Sequence, residues 1–232
     1  KGRRIAAHVL EAAQADIEFG GGRYTVKGTD RTLSLYQAAA AAATNASLPA
    51  ELRGPLAASA DQTLTIGSFP NGCHVCEVEV DPETGQVAIE RYTVVDDLGR
   101  VVNPMICAGQ IHGGLAQGIG QALMEKVVYE RDTGQLLSGS FTDYAMPRAD
   151  DMPSFTVDYV EVPCRTNPLG IKGVGEAGAV ATPPAIVGAI LDALRPLGVK
   201  HIDMPCTADR VWRSIAAARQ LQQGRRHAGQ RQ

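Results

Sequence analysis

Glu176 lies in the run Gly170-Ile171-Lys172-Gly173-Val174-Gly175-Glu176-Ala177-Gly178, in which four of nine residues are glycine. Glycine carries no Cβ, so its backbone can approach a ligand closely. A carboxylate in such a loop can act as a general base toward a bound group. The same residues also fit a glycine-rich turn with a solvent-facing glutamate, and the pattern alone leaves both readings open. No Gly-Lys-Ser/Thr follows, so this is not a Walker loop, and the run is read as lacking Gly-x-Gly-x-x-Gly in the dinucleotide register.

A second glycine-rich run is Gly109-Gln110-Ile111-His112-Gly113-Gly114-Leu115-Ala116-Gln117-Gly118-Ile119-Gly120. Ile111, Leu115, Ile119 and Leu123 recur every four residues, which predicts a helix over 110–126. Each of its inner glycines costs about 1 kcal/mol against alanine. Close packing or a ligand against the backbone would explain the cost. Cys73-His74-Val75-Cys76 has Cys-x-x-Cys spacing, but it opens a strand pattern. A three-residue offset sends the two sulfurs to opposite faces, and no second Cys or His pair completes a zinc set. Asp96-Asp97 reads as a carboxylate pair or a turn cap. No Gly-x-Ser-x-Gly elbow supports a serine hydrolase.

These segments need elements to position them. Ile5 and Val9 fit a first helix. Ile17, Phe19, Tyr24 and Val26 alternate across Gly20–Gly22 as a hairpin, and Ser34 caps an alanine-rich helix. The stretch 45–62 reads as a linker. A second hairpin turns at Asp81-Pro82-Glu83-Thr84-Gly85, and a third spans 127–137. A strand covers 155–162. A helix opens at Thr182-Pro183-Pro184, and a last helix starts near Thr207. The expected fold class is therefore α+β, layered from hairpins and packed helices. Its parts are an N-terminal helix-hairpin-helix segment with linker (1–62), a main domain (63–221) and a flexible polar tail (222–232).

The 232 residues are 44% hydrophobic and 20% charged, with a net charge of −3. That balance suits a globular protein and gives no field for nucleic acid. No apolar run approaches the ~20 residues that cross a bilayer. Five widely spaced cysteines do not resemble a secreted disulfide framework, so a cytoplasmic setting is expected. The chain opens Lys1-Gly2-Arg3-Arg4 without Met, as part of a longer protein would.

In this order the segments resemble the molybdenum-binding large subunits of the xanthine dehydrogenase, aldehyde oxidase and carbon monoxide dehydrogenase family. The likeness rests on Pro70-Asn71-Gly72, Glu79 to Gly85, Val95 to Gly99, Val102-Asn103-Pro104, Gly109 to Gly120, and Gly173 to Gly178 followed by Pro183-Pro184-Ala185-Ile186. It is nearest in character to the bacterial carbon monoxide dehydrogenase-like branch and spans about Lys1 to Ile215. The resemblance implies the C-terminal part of a molybdopterin-binding subunit. Its cofactor would be molybdopterin with molybdenum, in the cytosine dinucleotide form. The pterin dithiolene holds the metal, so no protein metal ligand is expected. Glu176 matches the catalytic base that takes a proton from the oxygen on molybdenum. Gln117 matches a glutamine beside the cofactor. Gly118, Lys172, Gly173, Gly175, Ala177 and Gly178 would line the same pocket. FAD and iron–sulfur clusters would sit on partner subunits or domains. The remainder of the large subunit is a further partner, and the substrate is a small molecule. The family's upstream segments are not in this chain, so a cofactor-binding or assembly fragment without turnover is the alternative.

Overall fold

The computed structural model describes residues 1–229, and side chains as far as Gly224. It forms two compact units, Lys1–Thr63 and Leu64–Gln232, and has the α+β architecture the sequence implied.

In the first unit α1 (Gly2–Val9) precedes an antiparallel sheet of β1 (Ile17–Gly20), β2 (Arg23–Val26) and β3 (Thr32–Ser34). α2 (Leu35–Thr44) starts at a full capping box. The Ser34 hydroxyl accepts from the Gln37 N–H, and the Gln37 side chain accepts from the Ser34 N–H, satisfying two helix-end donors. Ile5, Ile17, Tyr24, Leu33, Ala38 and Leu48 form the buried core.

The second unit carries the site. β4 (Asn71–Val80) and β5 (Val87–Asp97) form the hairpin read at Asp81–Gly85, with a bulge between Glu77 and Val78. β6 (Phe155–Val160) adds parallel to β5. One sheet face takes Cys76, Val78, Tyr92, Val94 and Val157 inward. Against it pack α3 (Pro104–Leu123) and α4 (Ala177–Leu194), whose Ile111, Leu115, Ile119, Ile186, Ile190 and Leu194 are fully or almost fully buried. α5 (Ala208–Gly229) adds Val211 and Ile215 to the same core.

Several boundaries differ from expectation. α3 begins six residues before Gln110. Asn103 caps it, its side-chain oxygen accepting from the Ile106 N–H at 3.1 Å, and Pro104 takes the first helical position, where a missing N–H costs nothing. α4 begins at Ala177 rather than at Thr182, so Pro183 and Pro184 lie inside it. Two interior prolines remove helix hydrogen bonds. Gly178 and Thr182 of this helix pack closely against Ile111, Gly114 and Gly118 of α3. By length and composition the stretch 177–197 could cross a membrane, contrary to the expectation that no run approached that length. Here its apolar residues Ile186, Ile190 and Leu194 are buried in the core. The third hairpin is reduced to one bridge, Tyr129 with Leu136. α5 runs beyond Gln222, into the stretch expected to be a flexible tail; residues 230–232 of that stretch lie outside the described residues.

Candidate functional site

The loop carrying Glu176 is anchored at both ends and open in the middle. At its start, the Asn167 side chain donates to the Ile171 carbonyl at 2.8 Å and accepts from the Ile171 N–H at 3.1 Å. The Lys172 N–H donates to the Leu98 carbonyl. The Lys172 ammonium donates to Asp97 Oδ2 at 2.5 Å, and both side chains are largely buried. Asp97 Oδ1 accepts from the N–H groups of Gly99 and Val162. Burial pushes the Asp97 carboxyl up, but Lys172 and the two N–H groups outweigh it and hold the carboxyl below its ordinary range. Their stabilising effect is present above the ordinary carboxylate pKa and is lost as pH falls through the depressed one.

At its end the loop enters α4 through Gly178. A Cβ on Gly178 would stand 2.4 Å from the Ile111 carbonyl oxygen, and one on Gly114 would stand 2.8 Å from the Ala179 nitrogen. A Cβ on Gly118 would meet Thr182 Cβ at 2.5 Å. These three glycines let α3 and α4 cross at backbone contact. Gly120 is bounded by Glu125 and Pro147.

Between the anchors, Gly173 and Gly175 are exposed, and a Cβ on either would meet nothing within 4 Å. Gly109 and Gly113 on α3 are the same. None of the four has a positive φ. Neither packing among the described residues nor backbone conformation requires glycine there. Met105, Gly109, Gly113 and Gln117 follow one another at four-residue spacing, all exposed, so they form one bare ridge along α3.

Glu176 is the N-cap residue of α4. Its side chain makes no capping bond and has no ion-pair partner within 4.0 Å among the described residues. It borders a cleft of about 320 Å³ lined also by Phe69, Gly72, His74, Asp96, Ala177 and Val180. Asp96 and His74 sit at the inner end of β5 and β4, their side chains 4% and 3% exposed, with Asp96 Oδ1 3.5 Å from His74 Nε2. Asp96 Oδ2 is buried and has no hydrogen-bond partner among the described residues. A Cβ on Gly72 would fall 2.0 Å from Asp96 Oδ1, so glycine makes room for that carboxylate.

Of the residues singled out in the sequence, the structure brings Glu176 and Ala177 together in this cleft with Asp96, His74 and the Pro70-Asn71-Gly72 segment. Gly178 and Gly118 are spent on helix packing. Gln117 stands exposed on the ridge of α3, whose Gly114 touches α4 at Gly178 and Ala179. Lys172 does not line the cleft, because its ammonium is held by Asp97. Asp96 and Asp97 are not a carboxylate pair, since successive strand residues point to opposite faces. Cys73 is exposed and Cys76 is half-buried, on opposite faces of β4; burial and then Glu77 push the Cys76 thiol up to about 11. Gly173, Gly175 and Gly178 do keep Gly-x-Gly-x-x-Gly spacing, but no strand leads into them, so the dinucleotide-binding context is missing. His74 and Asp96 were missed as a pair. Their signal was a polar residue at an inward position of each strand.

The molybdopterin cofactor-binding domain family matches residues 1–153. The chain is 36% identical to the carbon monoxide dehydrogenase large chain of Hydrogenophaga pseudoflava, over 93% of this chain and 26% of that one. It is 39% identical to the gamma subunit of the 6-hydroxypseudooxynicotine dehydrogenase complex of Paenarthrobacter nicotinovorans, over 91% and 27%. Among solved structures, quinoline 2-oxidoreductase from Pseudomonas putida 86 superposes with a TM-score of 0.85 at 36% identity, over 93% of this chain and 28% of that one. Reconstituted CO dehydrogenase from Oligotropha carboxidovorans superposes at 0.86 and 33% identity, over 94% and 27%. The chain spans about a quarter of the length of these relatives. It belongs to the molybdopterin cofactor-binding domains of the xanthine dehydrogenase and carbon monoxide dehydrogenase family.

Proposed function

We propose that this chain is the cofactor-facing part of a molybdenum hydroxylase large subunit, and that Glu176 is its general base. The observation that carries this reading is the Glu176 carboxylate. It borders the cleft without an ion-pair or side-chain hydrogen-bond partner among the described residues, beside backbone stripped of Cβ atoms.

The residues present fit a molybdopterin. Gly173, Gly175, Gly109 and Gly113 leave open backbone that this chain does not use, and Asp96 Oδ2 is an acceptor without a donor. Glycine at 173 and 175 lets a flat group lie against the loop, and the Gln117 amide can hydrogen-bond its polar edge. When bound, the cofactor supplies a two-electron acceptor and delivers oxygen derived from water to the substrate. Glu176 takes up the proton released in that step. Lys172 and Asp97 hold the loop start, and Gly178 holds its end, so the carboxylate keeps its place.

The substrate class is an aldehyde, an N-heterocycle or a related small molecule. The cofactor is the cytosine dinucleotide form. Electrons leave to iron–sulfur and FAD-binding subunits in a cytoplasmic complex. Phe141, Phe69 and Met105, each more than three-quarters exposed, suit contact with the remainder of the large subunit. Because the chain spans only a quarter of its relatives, a second reading is a cofactor-binding or assembly fragment that does not turn over alone.

Molybdenum and nucleotide analysis separates the two. The chain alone should fold yet hold little molybdenum. The complete subunit should hold about one equivalent and release one CMP per molybdenum on acid hydrolysis. Stoichiometric molybdenum with hydroxylase turnover in the chain alone would exclude the fragment reading. A complete subunit without molybdenum would overturn the proposed function.

A further inference from the structure

The first turn of α4, which carries Glu176 at its N-cap, is weakly tied to the rest of its own helix. Pro183 and Pro184 have no N–H, so the carbonyls of Ala179 and Val180 cannot receive the usual bond from four residues on. Two consecutive bonds that would join the turn to the helix body are therefore missing. A residue before proline also avoids the helical region, which applies to Thr182 and again to Pro183. Helices bend where the ladder is broken in this way. The turn thus takes more of its position from contacts outside the ladder. The Glu176 carbonyl accepts from the N–H groups of Ala179 and Val180 at 3.0 and 3.1 Å, so the Glu176 backbone moves with the turn.

A directed contact reaches this turn from the sheet. The Thr182 hydroxyl donates to the Gly178 carbonyl at 2.6 Å, and the Tyr92 hydroxyl donates to the Thr182 oxygen at 3.3 Å. Tyr92 lies on β5 and is fully buried, its ring edge-on to Phe155 of β6 with centroids 6.2 Å apart. Burial is the main cause that pushes its hydroxyl up to about 12, the Thr182 bond opposing it, so the donor keeps its proton. Neither Tyr92 nor Thr182 lines the cleft. Glycine packing at Gly114 and Gly118 lets the turn lie close to α3, but it supplies no directed bond.

We propose that Tyr92 is a positioning residue for Glu176. Acting through the Thr182 hydroxyl and the Gly178 carbonyl, it ties the first turn of α4 to the sheet where the two prolines interrupt the helix. It thereby fixes where the Glu176 carboxylate stands at the cleft. The inference rests on the reading of Glu176 as the base.

Two variants of Thr182 separate the hydrogen bond from the packing. Thr182→Val keeps the shape and loses the hydroxyl. Thr182→Ser keeps the hydroxyl and loses the methyl group that packs on Gly118. In the complete enzyme, Thr182→Val and Tyr92→Phe should each lower kcat by about 10–10²-fold, the scale of a displaced catalytic group. KM and molybdenum content should stay near wild type, and Thr182→Ser should keep the wild-type rate. Tyr92 Oη also lies 3.1 Å from His74 Nδ1, a contact that Thr182→Val leaves in place. Agreement between the two hydroxyl-free variants therefore assigns the effect to the Thr182 bond. Hydrogen exchange read by mass spectrometry gives a measure independent of turnover. Amides in 177–182 should exchange about tenfold faster in both hydroxyl-free variants, while those beyond Pro184 should not change. A slow Thr182→Ser beside a normal Thr182→Val would show that packing holds the turn, and would overturn the inference. Unchanged exchange at 177–182 would overturn it too. Faster exchange with an unchanged kcat, where Glu176→Gln still collapses, overturns the positioning role. Should Thr182→Val fold poorly, exchange at 177–182 in Tyr92→Phe decides. Failure of the base reading would show separately, as an undiminished rate in Glu176→Gln with the exchange result intact.

Discussion

A complete enzyme carrying Glu176→Gln is expected to turn over at least about 10²–10⁴-fold more slowly per bound molybdenum than wild type. The substitution keeps size and polarity but removes the group that can take up a proton near neutral pH. Stability should hardly change. Glu176 is exposed, its side chain makes no capping bond, and the loop is held by other residues. Melting temperature and molybdenum content should therefore stay near wild type while the rate collapses. A rate within a few-fold of wild type would remove Glu176 from the mechanism, leaving it a solvent-facing turn residue.

Two neighbouring glycines should respond in opposite ways. Gly114→Ala forces a Cβ to within 2.8 Å of the α4 backbone. Backbone cannot rotate away, so the helices must part, at a cost of about 1–3 kcal/mol. At Gly113 an added Cβ meets nothing within 4 Å among the described residues, so Gly113→Leu should gain up to about 1 kcal/mol of helix propensity. Yet if the cofactor lies along the bare ridge, the same leucine occupies its place. The Gly113→Leu enzyme should then melt no lower than wild type and lose most of its molybdenum. Gln117→Ala, one turn further on, should lower molybdenum content less, because one hydrogen bond is worth about 0.5–1.5 kcal/mol. Full molybdenum occupancy in Gly113→Leu would mean that this ridge faces another part of the subunit.

The contrast between these glycines shows where sequence is informative and where it is not. The hairpins at Asp81–Gly85 and Gly20–Gly22 and the Ser34 cap were legible because turn and cap chemistry is local. The start of α4 was misplaced because the Thr-Pro-Pro signal is a local preference, overridden by the contact of Gly178 with Ile111 across two helices. A run of glycines likewise does not say which of them meet backbone and which are bare. Gly114 and Gly113 are adjacent in sequence, and helix rotation separates their roles. Glu176 stands out by its glycine surroundings and by family resemblance, and the structure shows only that it borders the cleft. Lys172 was placed in the pocket by its neighbours, but its partner Asp97 lies 75 positions away, and no local pattern shows that pairing. His74 and Asp96 were legible in principle, as polar residues at inward strand positions. Their relation needs the register that sets Gly72 opposite Asp96 and His74 opposite Val94.

Anomalous diffraction from crystals of the complete enzyme at the molybdenum absorption edge would locate the metal relative to this chain. The expected result is one molybdenum peak in the cleft bordered by Glu176 and Ala177. The Glu176 carboxylate should lie within about 2.6–3.2 Å of an oxygen bound to the metal, the reach of a general base. A molybdenum peak elsewhere, with Glu176 facing solvent, would contradict the assignment of both the cleft and the base.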